Sequence, residues 1–272
     1  TNNYKKTLQV IVPNGQLRVG VKGTRTQTQT DLSKNFLIFD NFTLSYLEEV
    51  DMMTYYVRNV ATGDFIRAGG HYEAQAIRDE WGLPLDFIKK GDVYAIDSKV
   101  SNGGTNQFLG TNGFLDSPET DFTLVDLGNN KYAIRTADNK YLATSEADNY
   151  VNFDREVTDV ANDSHAQWEL LTRDQLIAEL KNSGASANNP KDATFLMEAS
   201  NLNRHDLRNN AFNWTGIDFG SSEYGGVEST NWDSRDNFAN SAIEKFNKTF
   251  DTYQTISGLP AGVYELTVQG FY

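Results

Sequence analysis

Cysteine is absent from the 272 residues, which removes disulfide staples, thiolate metal sites and thiol catalysis together. The redox compartment stays open, because an exported bacterial protein can manage without disulfides. Histidine is scarce: His71, His165 and His205 lie far apart, with no helical or hairpin ligand spacing, which argues against a zinc centre. No apolar run approaches the roughly 20 residues a membrane-crossing helix needs, and the opening TNNYKKTLQVIV lacks the full apolar core and cleavage site of a signal peptide. Basic residues are few, with 24 Lys and Arg against 37 Asp and Glu and a formal net charge of -13. No basic patch is left to neutralise phosphates, so nucleic acid and anionic membrane surfaces are poor partners and membrane insertion is not expected. The acidity reads first as solubility and second as calcium binding. No G-x-S-x-G occurs, and the adjacent acids Glu48-Glu49 and Asp79-Glu80 would point to opposite sides of a strand, unlike the facing carboxylates of glycosidases. The expectation is therefore a protein that is not an enzyme.

What the chain has in quantity is aromatic: 13 Tyr and 16 Phe, a composition that favours strands and argues against disorder. Its length makes two domains the prior. In residues 1–50, LQVIV and QLRVGV alternate apolar with polar positions around the turn Pro13-Asn14-Gly15 and read as a hairpin. After the polar tract Thr24 to Thr30, NFLIFDNFTLSYL puts Phe42, Leu44 and Tyr46 on one face, with a bulge at Asp40-Asn41. Because the sequence opens and closes inside strand patterns, both ends are expected to be cuts from a longer protein. Its export signal would lie outside this chain, making it secreted or cell-surface.

From Met52 to Leu171 the sequence repeats weakly three times. First strands YYVRNV, VYAIDS and KYAIRT are headed by Tyr56, Tyr94 and Tyr132, 38 residues apart. Second strands place Phe65, Phe108 and Tyr141 in matching positions, and third strands read AQAIR, GFLDS and YVNFD. Fourth strands LDFIKK, DFTLVD and AQWELL put Phe87, Phe122 and Trp168 at one equivalent, buried position. A unit of this size cannot cover its own apolar face. Three must close around a shared axis, as in a β-trefoil, and a β-propeller would need a fourth unit that the chain lacks.

Thr172 then caps the amphipathic run TRDQLIAELKN, with Leu176, Ile177 and Leu180 on one side. The stretch NSGASANNP, Asn182 to Pro190, reads as a linker. After it come loop sequence around FNWTG and NWDSRDNF and the strand, turn and strand FDTYQTI-SGLPAG-VYELTVQGFY, with Tyr264, Leu266 and Val268 on one face.

The stretch EKFNKTFDTYQTISGLPAGVYELTVQGFY resembles the early strands of galactose-binding-like jelly-roll domains, carbohydrate-binding-module-like units found in large exported surface proteins of Bacteroidetes. LQVIVPNGQLRVGVKG with FLIFDNFTLSYL is similar to the closing strands of the same domain type. The middle, with NKYLATS and AQWELLT, resembles ricin-type β-trefoils. The fold class expected is thus all-β: a β-trefoil plus a jelly-roll β-sandwich, partial or circularly complemented, with a short helical linker. Residues 1–50 supply closing strands, 51–171 the trefoil, 172–190 helix and linker, and 191–272 opening strands. The resemblance implies a carbohydrate-binding or adhesion module, with a glycan or glycoprotein and neighbouring domains of a longer chain as partners, and no cofactor. A structural spacer, or an accessory fragment of a larger secreted glycoside hydrolase or protease, are the alternatives. Trefoil lectins commonly carry Gln two residues before the closing aromatic, but those places hold Ala166, Leu85 and Thr120, so the likeness supports the fold more than any sugar pocket.

Sugar recognition needs aromatic faces to stack on a pyranose and polar side chains to satisfy its hydroxyls. Trp214 and Trp232 sit in polar loop sequence beside Asn213, Asp233, Arg235 and Asp236, and form one candidate site. Trp81 with Tyr72 and Arg78 forms another, in the first trefoil unit. Packing roles compete with binding at both, since tryptophan fills a core as readily as it meets a sugar. Related sandwiches often carry a structural calcium, and Asp233-Ser234-Arg235-Asp236 and Asp148-Asn149 offer oxygen donors, without the regular loop of an EF-hand.

Overall fold

The computed structural model describes residues 7, 17, 19, 42–47, 50–69, 74–80, 82–101, 106–197, 214–216 and 249–268. The chain divides into two compact units, Thr1–Met52 and Met53–Tyr272. In the first, the expected hairpin and the bulge at Asp40 lie outside the described residues. Residues 42–47 lie outside any strand, and Phe42, Leu44 and Tyr46 are all exposed, so the expected one-sided strand face is not formed there.

The second unit is built from three consecutive strand groups. The first group is β1 (Met52–Asn59), β2 (Phe65–Gly69), β3 (Gln75–Asp79) and β4 (Leu85–Lys90). The second is β5 (Val93–Asp97) and β6 (Asp121–Gly128), with its inner hairpin reduced to a bridge between Phe108 and Ser117. The third is β7 (Lys131–Arg135), β8 (Ala143–Thr144), β9 (Val151–Asn152) and β10 (Trp168–Leu171). Six of these strands run in the order β10-β7-β6-β5-β4-β1, and β10 also pairs with β1, so the sheet closes into a barrel with no free edge. The hairpins β2–β3, β8–β9 and 108–117 remain outside that ring. Bridges Gln75↔Phe114 and Ile77↔Tyr150 tie them to one another as a cap. A six-stranded barrel capped by three hairpins is the β-trefoil expected from the repeats.

The threefold relation is written in the backbone. Asn59 N donates to Asp64 O at 2.8 Å, Ser98 N to Gln107 O at 2.9 Å, and Thr136 N to Lys140 O at 2.9 Å, the same loop closed three times. Phe87, Phe122 and Trp168 converge in one interior with Val57, Ile96 and Ile134. Burying so much aromatic area, each ring in the range of about 150–250 Å², is the main force holding the three groups together. The indole Nε1 of Trp168 finds its partner inside, donating to Leu142 O at 2.9 Å.

One expected position is corrected. Val57, Ile96 and Ile134 are equivalent in the core, so the tyrosines heading the three first strands are Tyr55, Tyr94 and Tyr132, all half-buried against that core. Tyr56 is one place further on. Side chains alternate across a strand, so this single step turns Tyr56 to the other face. There it packs with Phe65, Leu171, Leu176, Ile177, Phe195 and Leu196 in a second cluster.

That second cluster accounts for the course of the chain beyond the barrel. Helix α1 (Arg173–Asn182) starts at Thr172, whose Oγ1 accepts from Gln175 N at 3.3 Å while Gln175 Oε1 accepts from Thr172 N at 2.8 Å, the expected capping box. Leu176 and Ile177 are buried on the cluster and Leu180 lies at its margin. Arg58 on β1 pairs with Glu169 on β10 at 2.8 Å and with Glu179 on the helix at 2.8 and 3.0 Å, fastening the helix to the barrel wall. Residues 184–190 are exposed and fold back through the bridge Ser186↔Asn189, after which Phe195 and Leu196 return to the second cluster. The Tyr56 hydroxyl donates to Phe195 O at 3.0 Å, and the two rings meet edge to face.

Beyond residue 197 the described segments are 214–216 and 249–268. Strand β11 (Trp214–Thr215) pairs antiparallel with β12 (Tyr253–Gln254), and Arg173 Nη2 donates to Ser257 O at 2.7 Å. The expected strand through Tyr264, Leu266 and Val268 is not formed: residues 263–268 lie outside any strand and these side chains are exposed. A strand holds only when a neighbour takes up its N–H and C=O groups, and no described segment forms a ladder with this one. The remaining strands of the expected sandwich lie outside the described residues.

Candidate functional site

The cap hairpins of the first and third groups meet at a cleft of about 410 Å³ lined by Asp64, Arg78, Asp79, Glu80, Asp148 and Asn149. Arg78 is positioned by β3, where it is opposite Ile66 of β2. Its backbone N–H donates to Asn149 O at 2.8 Å across the junction between the two groups. Its guanidinium pairs through Nη1 with Asp64 Oδ2 at 3.0 Å and donates through Nη2 to Asp148 O at 3.3 Å. The Nε is buried and has no hydrogen-bond partner.

Around this arginine the acids are held in different ways. Asp79 is buried and pairs with Arg67 Nη1 at 3.3 Å, the two side chains being only 5 % and 4 % exposed. Its other oxygen accepts from Glu80 N at 2.8 Å. Asp148 Oδ1 accepts from Tyr150 N at 2.9 Å, a turn closed by its own side chain, so the carboxylate is exposed but fixed. Glu80 is exposed at the rim. Among the described residues, the result is an open cleft with a partnered cation, several oxygen acceptors and the Asn149 amide, groups that can meet hydroxyls.

Of the residues picked from the sequence, Arg78 lies in this cleft. Trp214 is half-buried at the margin of the main core on β11, paired in register with Gln254. Tyr72, Trp81, Asn213, Trp232, Asp233, Arg235 and Asp236 lie outside the described residues. Asp148 and Asn149, singled out as oxygen donors, line the cleft beside Arg78. Asp64 escaped sequence reasoning. Its only signal was its place before the second strand, equivalent to Gln107 and Lys140 in the other groups. Among the described residues, no three Asp, Glu or His side chains gather as metal donors.

Two other polar clusters are built into the trefoil. Asp86 and Asp97 face each other on β4 and β5. Asp86 accepts from Thr54 at 2.5 Å and pairs with Lys99 Nζ at 2.7 Å, while Asp97 accepts from Lys99 N and Gln107 Nε2, both at 2.8 Å. Burial, with a smaller push from Asp86, raises the Asp97 carboxyl above its usual range. Elsewhere Thr144 Oγ1 lies 2.8 Å from His165 Nδ1, and His165 Nε2 lies 3.8 Å from Glu146. This order of groups resembles a hydrolytic triad, but Thr144 is 0 % exposed, so no substrate carbonyl can approach its hydroxyl.

No family model matches the chain, and no curated protein matches it at a significant level. Several solved structures resemble parts of it, three of them as follows. A salivary protein from Culex quiquefasciatus, of the Cysteine and Tryptophan-Rich (CWRC) family, is 13% identical over 46% of this chain and 96% of that one, with a TM-score of 0.33. The designed three-fold symmetric protein ThreeFoil is 14% identical over 44% of this chain and 98% of its own, at 0.32. Cry35Ab1 is 17% identical, covering 44% of this chain and 35% of its own, at 0.31. At these scores the trefoil assignment rests on the chain's own strand order and hydrogen bonds.

Proposed function

We propose that this chain is a non-catalytic glycan-binding module of an exported, modular bacterial surface protein. The observation that carries the reading is the cleft between the first and third cap hairpins, where Arg78, Asp64, Asp148 and Asn149 present hydrogen-bonding groups around an open volume of about 410 Å³. Such a volume falls within the range of about 300–1,000 Å³ usual for small-ligand sites. A glycan array spanning plant, mucin and bacterial glycans tests it. Binding that is lost in Arg78→Ala supports the reading, and silence across all three classes refutes it. Trp232→Ala and Trp214→Ala report on the second candidate site in the same assay. The rival reading, a spacer without ligand, draws on Trp214, whose ring packs at the margin of the core.

A further inference from the structure

The exposed stretch 184–190 has the composition of a hinge, yet the chain on both sides of it is fastened to the barrel. We infer that the chain after this stretch is a clasp, docked on the barrel through residues 193–197, Trp214 and Ile256, so that the trefoil and the segment following it move as one body. The barrel itself marks the place. Val57, Ile96 and Ile134 are equivalent in the core, so the residues before them are equivalent on the outer wall: Tyr56, Ala95 and Ala133. Across their seams these lie opposite Leu171, Ile88 and Val125. The β1–β10 seam thus carries a large aromatic with a hydroxyl where the other two carry a methyl group. That hydroxyl donates to Phe195 O at 3.0 Å, a carbonyl of the chain beyond the exposed stretch.

The contacts that hold the clasp are spread along it. Phe195 and Leu196 are buried with Tyr56, Phe65 and Leu171, and Ala193 packs at the edge of the same cluster. Much later in the chain Ile256 packs there too, and Arg173 at the start of α1 donates through Nη2 to Ser257 O at 2.7 Å. Trp214 packs against the main core. Its strand is held to β12 without slack: Gly216 has φ +81°, and a Cβ there would collide with Asp251 O. One short ladder, Trp214 opposite Gln254 and Thr215 opposite Tyr253, therefore joins the side chain set against the core to the segment that reaches the seam. Parts of a chain move relative to one another by default unless their interface is extensive and apolar. Apolar side chains close this one, and barrel and clasp fall within the single compact unit Met53–Tyr272. Trp214 is then a pin of the dock.

The clasp does not depend on glycan binding and is tested without a ligand. A protease recognition site placed within the exposed residues 184–190 of the full chain lets the backbone be cut between α1 and Phe195. At about 1 μM the two halves are expected to co-elute at the size of the uncut chain. Tyr56→Ala, which gives this seam the side chain the other two carry, should weaken their association by about a hundredfold or more, and Trp214→Ala by about tenfold or more. Barrel strands that keep their exchange protection in Tyr56→Ala separate loss of the dock from loss of the fold. Halves that part in native buffer overturn the inference, and so does co-elution indifferent to Tyr56→Ala; association unchanged by Trp214→Ala overturns the role given to Trp214. Hydrogen exchange on the uncut chain needs neither cut nor variant. The amides of Leu196 and Met197, which donate to Ala193 O and Thr194 O, should exchange at least about a hundredfold more slowly than those of 184–190. Equal rates in the two stretches would show an undocked segment and overturn the clasp.

Discussion

Replacing Phe122 by alanine is the sharpest test of the trefoil interior. Phe122 is fully buried among the strands of all three groups and stacks on Phe153 with ring centroids 5.5 Å apart and planes 5° from parallel. Truncating a buried Phe costs about 3–5 kcal/mol when the surroundings cannot collapse, and the lost ring pair adds about 0.5–1.5 kcal/mol. A closed barrel collapses poorly, so the cost should lie near the upper end, about 5 kcal/mol, a third or more of a typical domain stability of about 5–15 kcal/mol. At about 4 °C per kcal/mol for a domain of this size, Tm should fall by roughly 20 °C. Urea unfolding followed by tryptophan emission reads it, with buried Trp168 as the reporter in the same core. Tyr253→Ala, on an exposed β12 residue, is the matched control and should move stability by no more than about 0.5 kcal/mol. A loss below about 1 kcal/mol for Phe122→Ala, with a single cooperative transition retained, would mean that the three closing aromatics do not share an interior.

The second cluster should respond separately from the first. Tyr56→Phe removes the hydroxyl that donates to Phe195 O and is expected to cost about 1 kcal/mol, with hydrogen exchange accelerating in α1 and around Phe195 while the barrel strands keep their protection; equal acceleration across the barrel would contradict the face assigned to Tyr56. Arg58→Ala should loosen α1 by about 1 kcal/mol at low salt and less at high salt, since its partners are partly exposed. The raised Asp97 carboxyl sets the sign of one pH effect: over the interval from the unfolded value of about 3.9 up to the raised folded one, the native state holds the extra proton, so this group's contribution falls as pH rises. Asp97→Asn should therefore change the acid limb of the stability profile by removing that fall, and an unchanged slope in chemical denaturation from about pH 3 to about pH 7 would refute it.

The repeats could be read because aromatic residues recur at places that only a closed three-part core can fill. Phe87, Phe122 and Trp168 are recognisable by their position at the strand that ends each group. The first strands were harder for a physical reason. Tyr55 and Tyr56 are adjacent, both aromatic, and either could head the repeat; only the burial of Val57 beside Ile96 and Ile134 separates them. The even spacing of 38 residues favoured the wrong one. Similarly, NSGASANNP has linker composition and is exposed, yet Phe195 and Leu196 just beyond it return to the cluster around Tyr56. The cleft could not be seen at all in one repeat, because Arg78 and Asp148 are brought together only when the third hairpin docks beside the first.

Approximate symmetry places the candidate site by where it fails. The loop bonded at Asn59 and Asp64 recurs at Ser98 and Gln107 and at Thr136 and Lys140, so the backbone is nearly the same three times. The side chains at the second position are not: an acid, an amide and a base occupy Asp64, Gln107 and Lys140. Only the first can pair with an arginine on the neighbouring strand, as Asp64 does with Arg78. At the equivalent place Gln107 instead turns to Asp97, stabilising the Asp86–Lys99 cluster inside the fold. Stability needs the shared backbone and the shared aromatics, which tie all three groups to one sequence pattern. Polar positions at the hairpin junctions are under no such tie, and that freedom lets the first and third hairpins meet at a cleft around Arg78 while Gln107 is drawn to Asp97.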